Sequence, residues 1–367
     1  MHSNRRELFQ KMAAAALAAA AVQPVRAAAS GAGLPGKYPG RVIAVEHPGC
    51  IVNDAYQKDA IDKMMLTGMT SLTGAPDWTA AWKALFQKGD VVGIKVSPVG
   101  GPKLCSDITV LRSIIDGLKA AGVPARDVMI YSRYKEEVRS TGIDKWLPQG
   151  TRWDAPSEAY DNVQLDMAGY DRDVFMEMAL NKPGDDPNDS HFRRSYVAKV
   201  VTQQVNKIIN LPVLKHHQSA GVTICLKNLS HGSVNNVNRS HLTPSLNACG
   251  TFIPTVVSLP VFRQKVTLNI VDGVKAAYHG GPGGKPKYFW EHKTMYFGTD
   301  PVALDKTGWQ AIDAKRAEVG MASIALSKPD QDSTFLNCQV EHIEIAGMLQ
   351  LGKFKDSEID LKRVRLS

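Results

Sequence analysis

No cysteine in this chain stands three positions from another in a C-x-x-C pair, and the five present (Cys50, Cys105, Cys225, Cys249, Cys338) are an odd number. That excludes a four-cysteine iron–sulfur or zinc-ribbon module and leaves at least one thiol free. Aromatic residues are scarce, 7% of 367, and beyond the N-terminal segment there is no apolar run of about 18 residues, so a polytopic membrane protein is excluded. Blocks of Lys and Arg interleaved with aromatics are also missing. The basic stretch Lys362-Arg363-Val364-Arg365 is too short for a nucleic-acid groove and reads as a solvated tail. What is there, 44% hydrophobic and 22% charged residues, is the composition of a globular protein. The length suits one large α/β domain or two small ones.

Residues 1–29 differ from the rest. Arg5-Arg6-Glu7-Leu8-Phe9-Gln10-Lys11 precedes an eleven-residue apolar run, Met12 to Val22, and Ala27-Ala28-Ala29 follows. The run is too short to span about 30 Å of hydrocarbon, and the A-x-A pattern predicts cleavage after Ala29. The adjacent arginines resemble the bacterial twin-arginine signal, against the plainer reading of a general secretory signal with two chance arginines. The expected partner is therefore the twin-arginine translocase, and the expected compartment is the periplasm, with no stable membrane anchor. Cleavage removes Arg5, Arg6, Lys11, Arg26 and Glu7, which takes the formal charge from +8 to +5. A protein that folds before export does so among reducing agents, so no disulfide should be essential.

Apolar strand-like runs alternate with helical patterns. Strands are expected near 41–45, 91–96, 127–131, 163–165, 207–211, 266–271, 294–297 and 340–345, and helices near 55–66, 77–87 and 108–121. Wholly apolar strands separated by helices predict a mostly parallel sheet with helices on both faces, a three-layer α/β fold. Residues 181–190 carry strong turn chemistry and read as a long surface loop, an excursion from a single domain over 30–367 rather than a linker.

In open parallel sheets, ligands sit beyond the carboxyl ends of strands, so polar residues there carry the functional reading. Lys95 interrupts an apolar strand just before a Gly/Pro loop, where it is either paired or aimed at an anion. The segment from Lys215 to His231 gathers Lys215, His216, His217, Cys225, Lys227, Asn228 and His231 in seventeen positions. It supplies charge for an oxyanion and groups that titrate near neutrality. A third place is Asp272-Gly273, leading to the Gly-rich stretch at 280–284, whose backbone N–H groups could cradle an anion. No Walker-type G-K-S/T and no G-x-G-x-x-G opening a helix accompanies it, which argues against a conventional nucleotide site. Asp300 reads as the cap of a helix with Pro301 in its first turn, and Asp305, one turn in, as the better ligand candidate. His47, Cys50, Cys105, His217, His231 and His241 could converge on a metal at one sheet edge.

The run Leu214-Lys215-His216-His217, Gly221-Val222-Thr223, Leu226-Lys227-Asn228-Leu229 and Gly232 resembles the hallmark of domain-of-unknown-function family 362. The likeness extends to Val92-Gly93-Ile94-Lys95, Ile270-Val271-Asp272-Gly273 and Asp300-Pro301-Val302-Ala303-Leu304-Asp305, and spans about residues 40–346. The pattern differs at Ser97, where the family usually has Asn, and at Cys225. The resemblance implies that relatives carry twin-arginine signals or a fused ferredoxin-type module, for which this chain lacks the cysteines.

These readings converge on an exported enzyme acting on a small anionic molecule. Lys95 is the expected anion holder, Lys215 and Lys227 join His217 as the catalytic set with His217 shuttling a proton, and Asn228, His231, Asp272 and Asp305 complete the ligand site. A metal or redox cofactor inserted before export is the leading subclass, with Cys225 as its thiol. A non-catalytic periplasmic anion or metal carrier is the alternative.

Overall fold

The computed structural model describes residues 33–367, so the export signal expected over residues 1–29 lies outside the described residues. Ten strands form the central sheet: β1 (Arg41–Glu46), β2 (Val92–Val96), β3 (Val128–Tyr131), β4 (Arg152–Asp154), β5 (Lys207–Leu211), β6 (Val213–His217), β7 (Gly221–Thr223), β8 (Val266–Ala277), β9 (Phe289–Gly298) and β10 (Asp360–Arg365). The order is β10-β1-β9-β8-β5-β2-β3-β4, with β6 paired to β8 and β7 folded back on β6. Of these ten, only β7 and β9 run against the others, so the sheet is mostly parallel.

The period-2 alternation of each strand divides its side chains between two cores. Val92, Ile94 and Val96 of β2 join Val128, Ile130, Ile209, Leu211, Leu268 and Ile270 beneath helices α1 (Lys58–Thr73), α2 (Trp78–Lys83) and α3 (Ile108–Ala120). Met129, Tyr131, Ile208, Val266 and Val271 face the opposite way, toward α4 (Cys225–His231), α5 (Cys249–Val257), α6 (Pro301–Glu318) and α7 (His342–Met348). The result is the three-layer α/β domain that the strand pattern predicts. Side-chain caps start its helices: Asp107 accepts from the Thr109 N–H at 2.7 Å, and Asp300, as expected, accepts from those of Val302 and Ala303.

The chain proceeds from β2 to β3 and β4 on one side, then returns to lay β5 on the other side of β2. The carboxyl ends of β2 and β5 therefore border a topological switch point, the place where open α/β sheets leave a crevice. Lys95 and Asn210 pair in register there.

Three local expectations are corrected. Residues 163–165 form no strand: Gln164 has φ 56° and its side-chain Oε1 accepts from the N–H groups of Val237 and Asn238, so side-chain bonds replace a ladder. The neighbouring strand is instead Tyr170–Glu177, paired with Arg194–Ala198 as a ribbon whose connection is the 181–190 loop. Residues 340–345 lead into helix α7, because a short apolar run does not separate strand from helix by periodicity. The basic C-terminal stretch is not a free tail but lies within β10, a parallel edge strand on β1, where outward charges discourage further pairing.

Candidate functional site

Strand alternation turns Gly93 and Lys95 of β2 away from Val92, Ile94 and Val96, so the Lys95 stem crosses the second face of the sheet with 1% of its surface exposed. Its ammonium donates to the Val96 carbonyl (2.6 Å) and to Asn228 Oδ1 (3.1 Å). Asn228 is held in turn by Asn210 (2.8 Å), and Asn210 by Asn269 (2.9 Å), whose amide reaches the Thr299 carbonyl. This buried amide relay spends the capacity of Asn228 on holding Lys95, which makes it a positioning residue rather than a ligand contact. Gly232 closes over the lysine: a Cβ there would stand 1.9 Å from Lys95 Cε and 2.2 Å from its Nζ.

Around Lys95 stand three more cations. Lys215 on β6 is fully buried and donates to the Val99 carbonyl. Lys227 on α4 is 7% exposed, and its ammonium has no hydrogen-bond partner among the described residues. Arg133, one residue past Ser132 at the carboxyl end of β3, lies over the Tyr134 ring at 4.3 Å with Nη1 buried and unpaired. Among the described residues, none of these four has a carboxylate within 4.0 Å. Burial pushes the Lys95 ammonium down to about 7, and those of Lys215 and Lys227 to about 8, with neighbouring cations adding to the shift. Glu137 is the acid that acts on all three lysines, yet burial raises its own carboxyl despite the cations around it.

His217 also borders the cluster, with its tautomer pinned by its partners. Nδ1 accepts from the Ser219 and Ala220 N–H groups (3.2 and 3.3 Å) and lies 3.0 Å from Ser219 Oγ, which assigns the ring proton to Nε2. Burial, with Lys227 pushing the same way, holds the imidazole neutral, well below its ordinary range. It therefore presents an N–H donor, with no free lone pair for the proton shuttle expected of it. His231 has both nitrogens engaged, Nδ1 with Ser230 and Nε2 with Ser240, each at 3.0 Å.

Two expected ligand residues lie elsewhere. Asp305 accepts from the Cys225 and Leu226 N–H groups (2.6 and 3.1 Å), so α6 supplies the N-terminal cap that α4 lacks in its own sequence. Asp272 faces the first core, bonded to the Tyr56 hydroxyl (2.9 Å) and the Asp107 N–H (3.2 Å). Burial and the nearby Asp107 push its carboxyl up to about 7. The Gly-rich stretch folds against β6, where the Gly281 carbonyl accepts from Gln218 N–H at 3.2 Å. His47 and Cys50 stand near Asp272 and the 291–293 segment, apart from the histidine group, and Cys225 is tied to Asp305. The thiol beside His231 and His241 is Cys249.

Residues 92–310 match the family described as a domain of unknown function, DUF362, a span that contains Lys95, Arg133, Lys215, Lys227 and the amide relay. This chain belongs to the DUF362 family. The match begins at the first residue of β2 and ends within α6, so β1 and β10 complete the sheet from outside it. No curated protein matches the chain. A crystal structure of a Thermotoga maritima protein is similar at 10% identity with a TM-score of 0.43, over 76% of this chain and 63% of that one. Arg133 and Glu137 are the members of this charged cluster that sequence reasoning missed. The signal was available: Ser132-Arg133 follows the apolar strand Val128–Tyr131, the position that singled out Lys95.

Proposed function

We propose that the chain binds a small oxyanion, a phosphate or carboxylate group, at the switch point between β2 and β5 and acts on the molecule that carries it. One observation carries this reading: the buried Lys95, Lys215 and Lys227 and the half-buried Arg133 are gathered together with no carboxylate in contact. Glu137 acts on the three lysines without touching them, and sequestered cations with no contacting counter-charge are costly, a cost that a bound anion would offset. The His217 Nε2–H adds a neutral donor, and Lys227, unpartnered and titrating near neutrality, is the group placed to give or take a proton. The redox subclass and the periplasmic location rest on the export signal expected over residues 1–29.

Calorimetric titration of the signal-free chain with phosphate, sulfate and dicarboxylates tests the reading. At least one anion should bind, and Lys227→Met and Arg133→Gln should each weaken it roughly tenfold or more, as expected for a lost charge-assisted hydrogen bond. Absence of millimolar binding by the parent, or equal binding by the folded variants, would end the proposal. Product formation that Lys227→Met abolishes separates an enzyme from a carrier.

A further inference from the structure

We propose that His231, His241 and Cys249 form a mononuclear site for a thiophilic d10 ion of the Zn(II) or Cu(I) kind. One imidazole nitrogen from each histidine and the Cys249 sulfur all lie within 4.8 Å of one another. Metal–nitrogen and metal–sulfur bonds of about 2.0 and 2.3 Å place ligand atoms roughly 3.3–4 Å apart, so a contraction of about 1 Å closes the set. The donors come from three short elements packed together: His231 ends α4, His241 follows the turn Asn238–Ser240, and Cys249 opens α5. The two imidazoles meet edge to face at 5.1 Å between centroids.

The Ser240 hydroxyl marks the point of convergence. It lies 3.0 Å from His231 Nε2, 3.0 Å from His241 Nδ1 and 4.0 Å from Cys249 Sγ, while donating to the Val237 carbonyl at 2.6 Å. A turn about its χ1 opens that point to an ion. The supporting groups are already in place. His231 Nδ1 faces Ser230 Oγ, the partner that a nitrogen needs when its opposite number ligates a metal, and Ser219 Oγ stands 3.6 Å from the Cys249 sulfur. The Ser240 proton is spent on Val237, so both ring nitrogens donate to that hydroxyl, and the turn of Ser240 is accompanied by a tautomer change that brings one lone pair of each neutral imidazole to the ion. Binding deprotonates the Cys249 thiol and releases that proton to solvent. The thiolate offsets part of the ion's charge against Lys227, which acts on all three donors, and soft sulfur with imidazole selects the d10 ions over Mg(II) or Ca(II). Three protein donors leave a fourth position open.

The test is a titration of the chelator-stripped, reduced chain with Zn(II) and, without oxygen, with Cu(I), each against a chromophoric competitor, followed by Co(II) read by absorption. One equivalent of Zn(II) or Cu(I) should bind at submicromolar concentration with about one proton released, and Co(II) should show a thiolate charge-transfer band. Cys249→Ser and His241→Gln should each weaken binding by roughly 100-fold or more, exceeding the loss typical of an outer-shell change, while Cys105→Ser leaves it unchanged. If Cys249→Ser fails to fold by circular dichroism, the cobalt band and proton count of the parent chain decide. No binding tighter than micromolar, no thiolate band, or full binding by a folded Cys249→Ser would overturn the site.

Discussion

Replacing Lys95 by methionine keeps the unbranched stem to within one atom and removes its charge, and the consequence depends on pH in a calculable way. A free lysine titrates at 10.5 and Lys95 at about 7, a difference worth on the order of 5 kcal/mol against the folded state when both are protonated. Between those values the unfolded chain binds a proton that the folded chain does not, so wild-type stability rises with pH across this window. From pH 6.5 to 9.5 the gain is about 3 kcal/mol. Lys95→Met lacks this dependence. It also strands two buried acceptors, the Val96 carbonyl and Asn228 Oδ1, at about 1–3 kcal/mol each. The variant should therefore match the wild type within a few kcal/mol at pH 6.5 and fall behind by about 3 kcal/mol more at pH 9.5. Urea unfolding of both proteins at the two pH values, in a buffer free of oxyanions, measures the double difference, from which titrations common to both cancel. A double difference below about 1 kcal/mol, or of opposite sign, would show that Lys95 is not a desolvated cation and would remove the main support for an anion site. A ligand anion should stabilise the wild type and flatten its pH dependence, since it keeps the ammonium protonated.

Gly232→Ala puts a methyl group where Lys95 Cε and Nζ now lie, with the Asn228 carbonyl 2.7 Å away, so it should cost about 1–3 kcal/mol in urea unfolding and at least tenfold in anion affinity. Asp305→Ala removes the cap from α4 and should cost on the order of 3 kcal/mol, with anion affinity falling alongside because Lys227 and Asn228 ride on that helix. Asp272→Asn, on the opposite face, should leave anion affinity within about twofold, since distant sites act independently; a larger loss by titration would place its carboxylate in the site.

The alternation of apolar runs and helical patterns made the layers legible, because burial on both faces is written into sequences such as Val128-Met129-Ile130-Tyr131. Strand order was not. β1 and β2 follow one another in the chain, yet β9, β8 and β5 lie between them, contributed by segments up to two hundred residues later. The switch point is therefore a product of topology that no local window contains. Lys95 and the 215–231 segment were legible because charge and amide groups interrupt apolar strands there. Arg133 follows the same rule at β3, but a single charge after a strand looks like an ordinary surface residue until the fold covers it. Asp305 misled for the converse reason: its pattern on α6 is that of a free carboxylate, and the helix it caps lies about eighty residues earlier in the chain.

Hydrogen-bond saturation separates the polar residues of this fold by role. Asn210, Asn228, Asn269, Asp305 and the Nδ1 atom of His217 each meet partners that match their capacity, and such groups stabilise one arrangement without needing a ligand. Lys227 and the Nη1 atom of Arg133 do not, and Lys95 and Lys215 hold only neutral acceptors against their charges. Folding gains nothing from gathering four cations with no carboxylate in contact and with the nearby Glu137 itself pushed toward its neutral form, and the proposed bound anion would account for the arrangement. Saturation would also make the proposed anion site selective. With the amide relay and the Gly232 contact fixing Lys95, the cations could not follow a ligand of the wrong size, and an anion bound as proposed would have to fit the spacing that the β2, β3 and β6 ends impose.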